Sequence, residues 1–121
     1  MIPADLLNQL REKDPGLWNT FSEKKIGDYF YFGPEGDEEY GDIFEYQLED
    51  SARCAWLQHC LQEAIRARGW RYGIDYDTDR VCATVLKNID SAWKLIGVGY
   101  GSTEAEALMR AYLSALSGER I

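Results

Sequence analysis

The chain has 121 residues, 45% of them hydrophobic, and a formal net charge of −8 at neutral pH. This length fits a single domain, and this composition can build a hydrophobic core rather than a disordered chain. Because acidic residues outnumber basic ones by 21 to 13, the chain lacks the basic surface that binding to nucleic-acid phosphates requires. No apolar run approaches the roughly 20 residues of a membrane span, and the charged N-terminus is unlike a secretory signal. We therefore expect a cytoplasmic protein without direct nucleic-acid or membrane contact.

The N-terminal region predicts two short helices. Leucines recur at helical spacing in residues 3–13, where Pro3 suits the first helical position. Residues 14–16, Asp-Pro-Gly, predict the end of that helix. Residues 17–26 then predict a second helix that ends at Gly27.

The next stretch predicts two strands around a polar loop. Residues 29–32 are a run of Tyr and Phe, and residues 43–48 alternate between apolar and polar side chains. Residues 33–42, which lie between them, are rich in Gly and carboxylates and predict a loop.

The second half predicts a helix, three strands and a final helix. Ser51 is placed as an N-cap for a helix that ends before Gly69, the expected C′ residue. Thr103 and Glu106 form a capping-box pattern at the start of the last helix. The predicted strands are residues 70–76, 81–87 and 92–100, with turns at residues 77–79 and 88–91.

Short turns between successive strands require antiparallel neighbours, since a parallel pair needs a long crossover. The predicted fold class is therefore α+β, an antiparallel sheet of three or four strands in α-β-β-β-α order, with helices packed against it. We expect one domain over residues 1–121. It comprises short N-terminal helices (1–27), an acidic, aromatic-rich segment (28–50) and the α-β-β-β-α core (51–117).

Negative charge is concentrated in the acidic segment (residues 28–50). Between Lys25 and Arg53 there are nine carboxylates and no basic residue, whereas residues 53–121 have eight acids and nine bases. Like charges in one stretch repel each other and oppose compaction, which favours a role in meeting a cationic partner. The alternative is a solvated loop whose aromatic residues pack into the core.

Three parts of the chain together resemble the phage ABA sandwich domain, a family of small bacteriophage and prophage proteins. They are LWNTFSEKKIG, SARCAW and GYGSTEAEALMRAYLSAL, and the resemblance covers roughly residues 17–117. It implies an α+β fold and a viral origin, and it carries over no catalytic residue. The chain departs from the family pattern at roughly residues 30–42, so any function of that insert is not implied by the resemblance. The α-β-β-β-α order also resembles the double-stranded RNA-binding domain, but Glu104 and Glu106 stand where that domain has a basic helix start.

Motifs for catalysis or metal binding are weak. His59 is the single histidine, and helical spacing puts Cys54 and Cys60 on different sides of one helix. Acids at the 75–79 turn resemble the start of a calcium loop, but Arg80 stands where that loop requires Gly. We expect free, buried cysteines, a structural histidine, no cofactor, no metal site and no enzymatic activity.

The leading hypothesis is a small phage-type inhibitor of the anti-CRISPR or anti-restriction kind. Its acidic surface would mimic nucleic acid and bind the basic surface of a host or defence protein in the host cytoplasm. The predicted partner-binding residues are Glu35, Asp37, Glu38, Glu39, Tyr40, Asp42, Glu45, Tyr46 and Glu49. One alternative is a structural or assembly protein that forms homo-oligomers through an exposed sheet edge and Trp-bearing faces. Another is an enzyme with a metal held by carboxylates of the acidic loop.

Overall fold

The computed structural model describes residues 2–23 and 51–118. These residues form four helices and a three-stranded antiparallel sheet, and the α+β class and α-β-β-β-α order are confirmed. The predicted strands at residues 29–32 and 43–48 lie outside the described residues. The elements are α1 (Ala4–Lys13), α2 (Pro15–Glu23), α3 (Ser51–Ala67), β1 (Arg71–Tyr76), β2 (Val81–Ile89), β3 (Ala92–Gly101) and α4 (Glu104–Gly118).

The junction between α1 and α2 differs from its prediction. The sequence predicts only a helix end at residues 14–16, whereas Asp14 and Pro15 also begin α2. The Asp14 Oδ1 atom accepts a hydrogen bond from the Leu17 amide at 3.1 Å, which is an N-cap interaction. Pro15 takes the first helical position, where no amide hydrogen is needed. Pro3, predicted at that position of α1, is instead its N-cap residue.

The strands follow the order β1-β2-β3, and both neighbouring pairs are antiparallel. The sequence predicts a turn over residues 88–91, but β2 continues through Ile89. Asp90 and Ser91 alone make the turn, with φ angles of 55° and 68°. Positive φ at both central residues matches the right-handed twist of a two-residue hairpin, so the shorter turn lets the strands pair to their ends.

Helix α4 lies directly on the backbone of β3. A Cβ atom at Gly97 would come within 2.2 Å of the Ala111 carbonyl oxygen, and one at Gly99 within 2.4 Å of the Ala107 carbonyl oxygen. No side chain fits in that space, so Gly on the strand and Ala on the helix together set the closeness of the two elements.

The remaining helices complete one core. Helix α1 contacts α4, and α2 contacts both α1 and α3. Fully buried side chains from these helices and from β2 join in a single cluster, which includes Leu7, Phe21, Leu61, Val85, Leu108 and Tyr112. No helix within the described ranges is long and apolar enough to cross a membrane.

The predicted caps at the start of α4 and at the end of α3 are confirmed. Thr103 Oγ1 accepts the Glu106 amide hydrogen bond at 3.2 Å, and Glu106 Oε1 accepts one from the Ser102 amide at 3.1 Å. The second bond reaches one residue before the N-cap, which is a small departure from the standard capping box. Gly69 follows α3 with a φ of 77°, the left-handed geometry expected of a C′ glycine.

Candidate functional site

All of the predicted partner-binding residues lie outside the described residues. The structure therefore does not test the arrangement of Glu35, Asp37, Glu38, Glu39, Tyr40, Asp42, Glu45, Tyr46 and Glu49. What it does describe is the scaffold on both sides of the acidic segment. The Trp56 indole N–H donates a hydrogen bond to the Phe21 carbonyl oxygen at 3.1 Å. This bond joins α2, which precedes the segment, to α3, which follows it.

The arginines of the scaffold already have interactions within the fold. Arg66 pairs with Glu63 at 2.5 Å, Arg110 pairs with Glu106 at 3.0 Å, and Arg80 approaches Asp77 at 3.7 Å. The Arg68 guanidinium lies 5.1 Å from the centroid of the Trp70 ring, a cation–π distance. The positive charge of the described scaffold is therefore engaged largely by neighbouring side chains.

A groove of about 490 Å³ lies where α2, α3 and α4 meet. Its polar centre is Tyr112, whose hydroxyl donates to Asp14 at 2.5 Å and accepts from Arg68 at 3.1 Å. Burial raises the pKa of Tyr112, and the Asp14 carboxylate raises it further. The hydroxyl therefore stays protonated and ties the start of α2 to α4 rather than serving as a base.

His59 and Cys60 border the same groove without forming a catalytic pair. The exposed His59 ring stacks on Trp56 with 5.4 Å between the centroids. Burial raises the pKa of the Cys60 thiol to about 11, which leaves little of the thiolate that nucleophilic attack or metal binding requires. None of the three cysteines is in a disulfide, as predicted, but only Cys60 is buried, whereas Cys54 and Cys82 are partly exposed.

The aspartates between β1 and β2 act as turn residues. Asp77 Oδ1 accepts the Thr78 amide hydrogen bond at 2.8 Å, and the Asp77 amide donates to the Arg80 carbonyl oxygen at 2.8 Å. These local bonds agree with the interpretation of the acids as turn formers. Across the described part of the chain, no group of three or more His, Cys, Asp or Glu side chains could hold a metal ion.

The two faces of the sheet differ in burial. Val81, Ala83 and Val85 of β2 point toward the helices and are buried. The residues that alternate with them face the other way, and no described residue on that side is buried. We call this second surface the open face; it consists of Arg71, Gly73, Asp75, Cys82, Thr84, Leu86, Asn88, Trp93, Leu95, Val98 and Tyr100.

Two cation–π pairs occupy opposite ends of the open face. The Arg71 guanidinium lies 4.1 Å from the Trp93 ring centroid. Arg80, which immediately precedes β2, lies 4.0 Å from the Tyr100 ring centroid. Sequence reasoning did not single out these residues as a surface, although the alternation of β2 and the cross-strand register together identify them.

Comparison of the chain with family models, with curated proteins and with solved structures gave no match. The resemblance to the phage ABA sandwich domain therefore stays a prediction from the sequence.

Proposed function

We propose that this protein is a small, non-enzymatic binding protein of phage type that uses its acidic segment to bind a cationic protein surface. The observation that carries the proposal is the charge distribution: nine carboxylates and no basic residue lie between Lys25 and Arg53. The partner is the basic, nucleic-acid-binding surface of a host or defence protein. Inhibition follows because the acidic segment competes for the Arg and Lys side chains that hold nucleic acid.

The charge balance of the scaffold supports this proposal. Arg66, Arg80 and Arg110 each have a carboxylate neighbour inside the described fold. With these cations engaged, the excess of negative charge in the segment favours an external cationic partner. The hydrogen bond between Trp56 and Phe21 supports the proposal in a second way, since a fixed scaffold lowers the entropic cost of presenting a binding segment.

The chemistry of the groove also favours binding over catalysis. The raised pKa of Tyr112 and of Cys60 keeps both groups protonated, which disfavours either of them as a nucleophile in the groove that His59 also lines. In the proposed interface, Tyr40 and Tyr46 add contact area. The carboxylates that form ion pairs with the partner are Asp37, Glu38, Glu39, Asp42, Glu45 and Glu49.

The test is a charge reversal in the acidic segment, with capture from a bacterial lysate at low and high salt. The variant Glu38→Lys, Glu39→Lys, Asp42→Lys should lose the protein that the wild type retains at low salt and releases at high salt. A matched control, Asp5→Lys, Glu12→Lys, Asp79→Lys, makes the same change in net charge at exposed positions of the scaffold.

The captured protein is then tested for nucleic-acid binding. We expect the wild type and the control to inhibit that binding and the segment variant to have no effect. Capture that is the same for the segment variant and the wild type would reject the acidic segment as the binding surface.

A further inference from the structure

We propose that the open face is the contact surface of a homodimer, in which two copies of this chain pack their sheets together about a two-fold axis. The inference is independent of the proposed function, since it uses only scaffold residues. In this dimer, the strands of one copy run antiparallel to those of the other across the axis. Each end of one open face therefore lies on the opposite end of the other open face.

The composition of the open face is that of a protein interface. Leu95 is 56% exposed, Tyr100 44% and Trp93 37%, and each of these large side chains lies on the same side of the sheet as the two stacked arginines. Trp, Tyr and Arg are the residue types that contribute most to interface energies, and apolar side chains around them exclude water. Among the described residues, nothing buries these three large side chains, and packing against a second copy would remove their apolar surface from water.

The charges of the open face are complementary to a second copy of the same face. Arg71 and Asp75 lie on one side of β1, four residues apart, which is about 13 Å along a strand. At the Asp75 end, the positive charge of Arg80 is balanced by Asp77 at 3.7 Å. Among the strand residues of the open face, Asp75 is the negative charge at one end and Arg71 is the positive charge at the other. An antiparallel two-fold arrangement brings Arg71 of each copy to Asp75 of the other, as an isologous interface requires.

Gly73 is the position where the two-fold axis fits best. It lies midway between Arg71 and Asp75 on β1 and pairs with Thr84 of β2. Without a side chain at that position, the two β1 strands can approach to the spacing of about 10 Å that packed sheets adopt. An axis there places both Arg–Asp pairs in register at once.

The size of the face sets the expected strength. Three strands of about eight residues make a surface of roughly 14 by 25 Å, or about 350 Å² per copy, which is below the size of stable specific interfaces and in the range of weak, transient contacts. We therefore expect a reversible dimer with a micromolar Kd. A nucleic acid is a poorer occupant, because its phosphates would lie against the Asp75 end of the face and because the whole chain has a net charge of −8.

The test is sedimentation equilibrium of the full chain over micromolar to millimolar concentration. Wild type should shift from monomer to dimer across this range. Leu95→Lys changes an exposed side chain, and circular dichroism should show that the variant still folds. The variant should raise the dimer Kd at least about tenfold, because the changed residue occurs twice in a two-fold interface.

A charge swap tests the orientation. Arg71→Asp and Asp75→Arg should each raise the Kd about tenfold, and the double variant should return it to within about threefold of the wild type. Lys13→Glu is the matched control, because it makes the same net charge change as Arg71→Asp on the exposed side of α1; it should leave the Kd unchanged.

Two results would overturn the proposal. The first is that the wild-type protein stays monomeric up to millimolar concentration. This outcome counts against the dimer whether the open face contacts other residues of its own chain or only water. The other is a dimer whose Kd is the same in Leu95→Lys and in both single charge variants.

Discussion

The two faces of one sheet have opposite tolerance for side chains. On the helix-covered face, Gly97 and Gly99 leave no room for a single carbon atom, and Val85 is completely buried. On the open face, Trp93 and Leu95 remain in contact with solvent. Because side chains alternate along a strand, one stretch of sequence builds both surfaces from alternate residues. Within the described residues, the tight packing that stabilises the fold therefore lies on one side of the sheet, and the exposed large side chains Trp93 and Leu95 lie on the other.

The largest expected effect comes from adding a side chain at the covered face. Gly99→Ala would place a Cβ atom 2.4 Å from the Ala107 carbonyl oxygen, and backbone atoms cannot yield as a flexible side chain can. We expect a loss of at least about 3 kcal/mol in the free energy of unfolding, measured by urea denaturation.

Gly73→Ala is the matched control on the open face. Its Cβ would meet only the Thr84 hydroxyl oxygen at 3.1 Å, and a small rotation of that side chain relieves the contact. We expect a change of less than about 1 kcal/mol. Equal losses in the two variants would contradict the assignment of the covered and open faces.

A smaller effect is expected from truncating one leucine on each side of the sheet. Leu108 of α4 is fully buried, whereas Leu95 is 56% exposed. Leu108→Ala should cost about 3 kcal/mol because it removes buried apolar surface and leaves a cavity. Leu95→Ala should cost less than about 1 kcal/mol in the monomer. Thermal unfolding at low protein concentration measures both, and a large loss for Leu95→Ala would mean that this side chain belongs to the core.

The smallest expected effect comes from removing the carboxylate charge of Glu106 in the first turn of α4. Burial opposes ionisation of Glu106, but hydrogen bonds from Ser102 and Arg110 outweigh it and lower the pKa of Glu106 below the ordinary value of 4.5. A lowered pKa means that the folded state binds fewer protons, so this stabilisation is present above pH 4.5 and is lost as the pH falls through the folded-state pKa.

Glu106→Gln should therefore cost about 1 kcal/mol at neutral pH, and the difference from wild type should shrink in acid. Urea denaturation at neutral pH and at a pH well below 4.5 measures this. Glu12→Gln, which changes an exposed carboxylate of α1, is the control. A cost that is the same at both pH values would mean that Glu106 acts through packing rather than through its charge.

Local sequence patterns predicted most of the described fold. Thr103 and Glu106 identified the start of α4, and Gly69 identified the end of α3, because capping depends on residues close together in the chain. The error at Asp14 and Pro15 also has a local cause, since Asp-Pro-Gly can end one helix and cap the next. The short turn at Asp90 and Ser91 was missed because neither residue is the glycine that usually adopts positive φ.

The two candidate surfaces, the acidic segment and the open face, also differ in whether the sequence or the tertiary structure reveals them. The sequence by itself determined the order of helices and strands and the concentration of carboxylates between Lys25 and Arg53, because periodicity, capping and charge are written in neighbouring residues. Only the tertiary structure decided that α4 lies on Gly97 and Gly99 and that Arg71 meets Trp93 while Arg80 meets Tyr100. Those contacts join different elements, and their partners are set by strand register and helix packing, which no single stretch of the chain encodes.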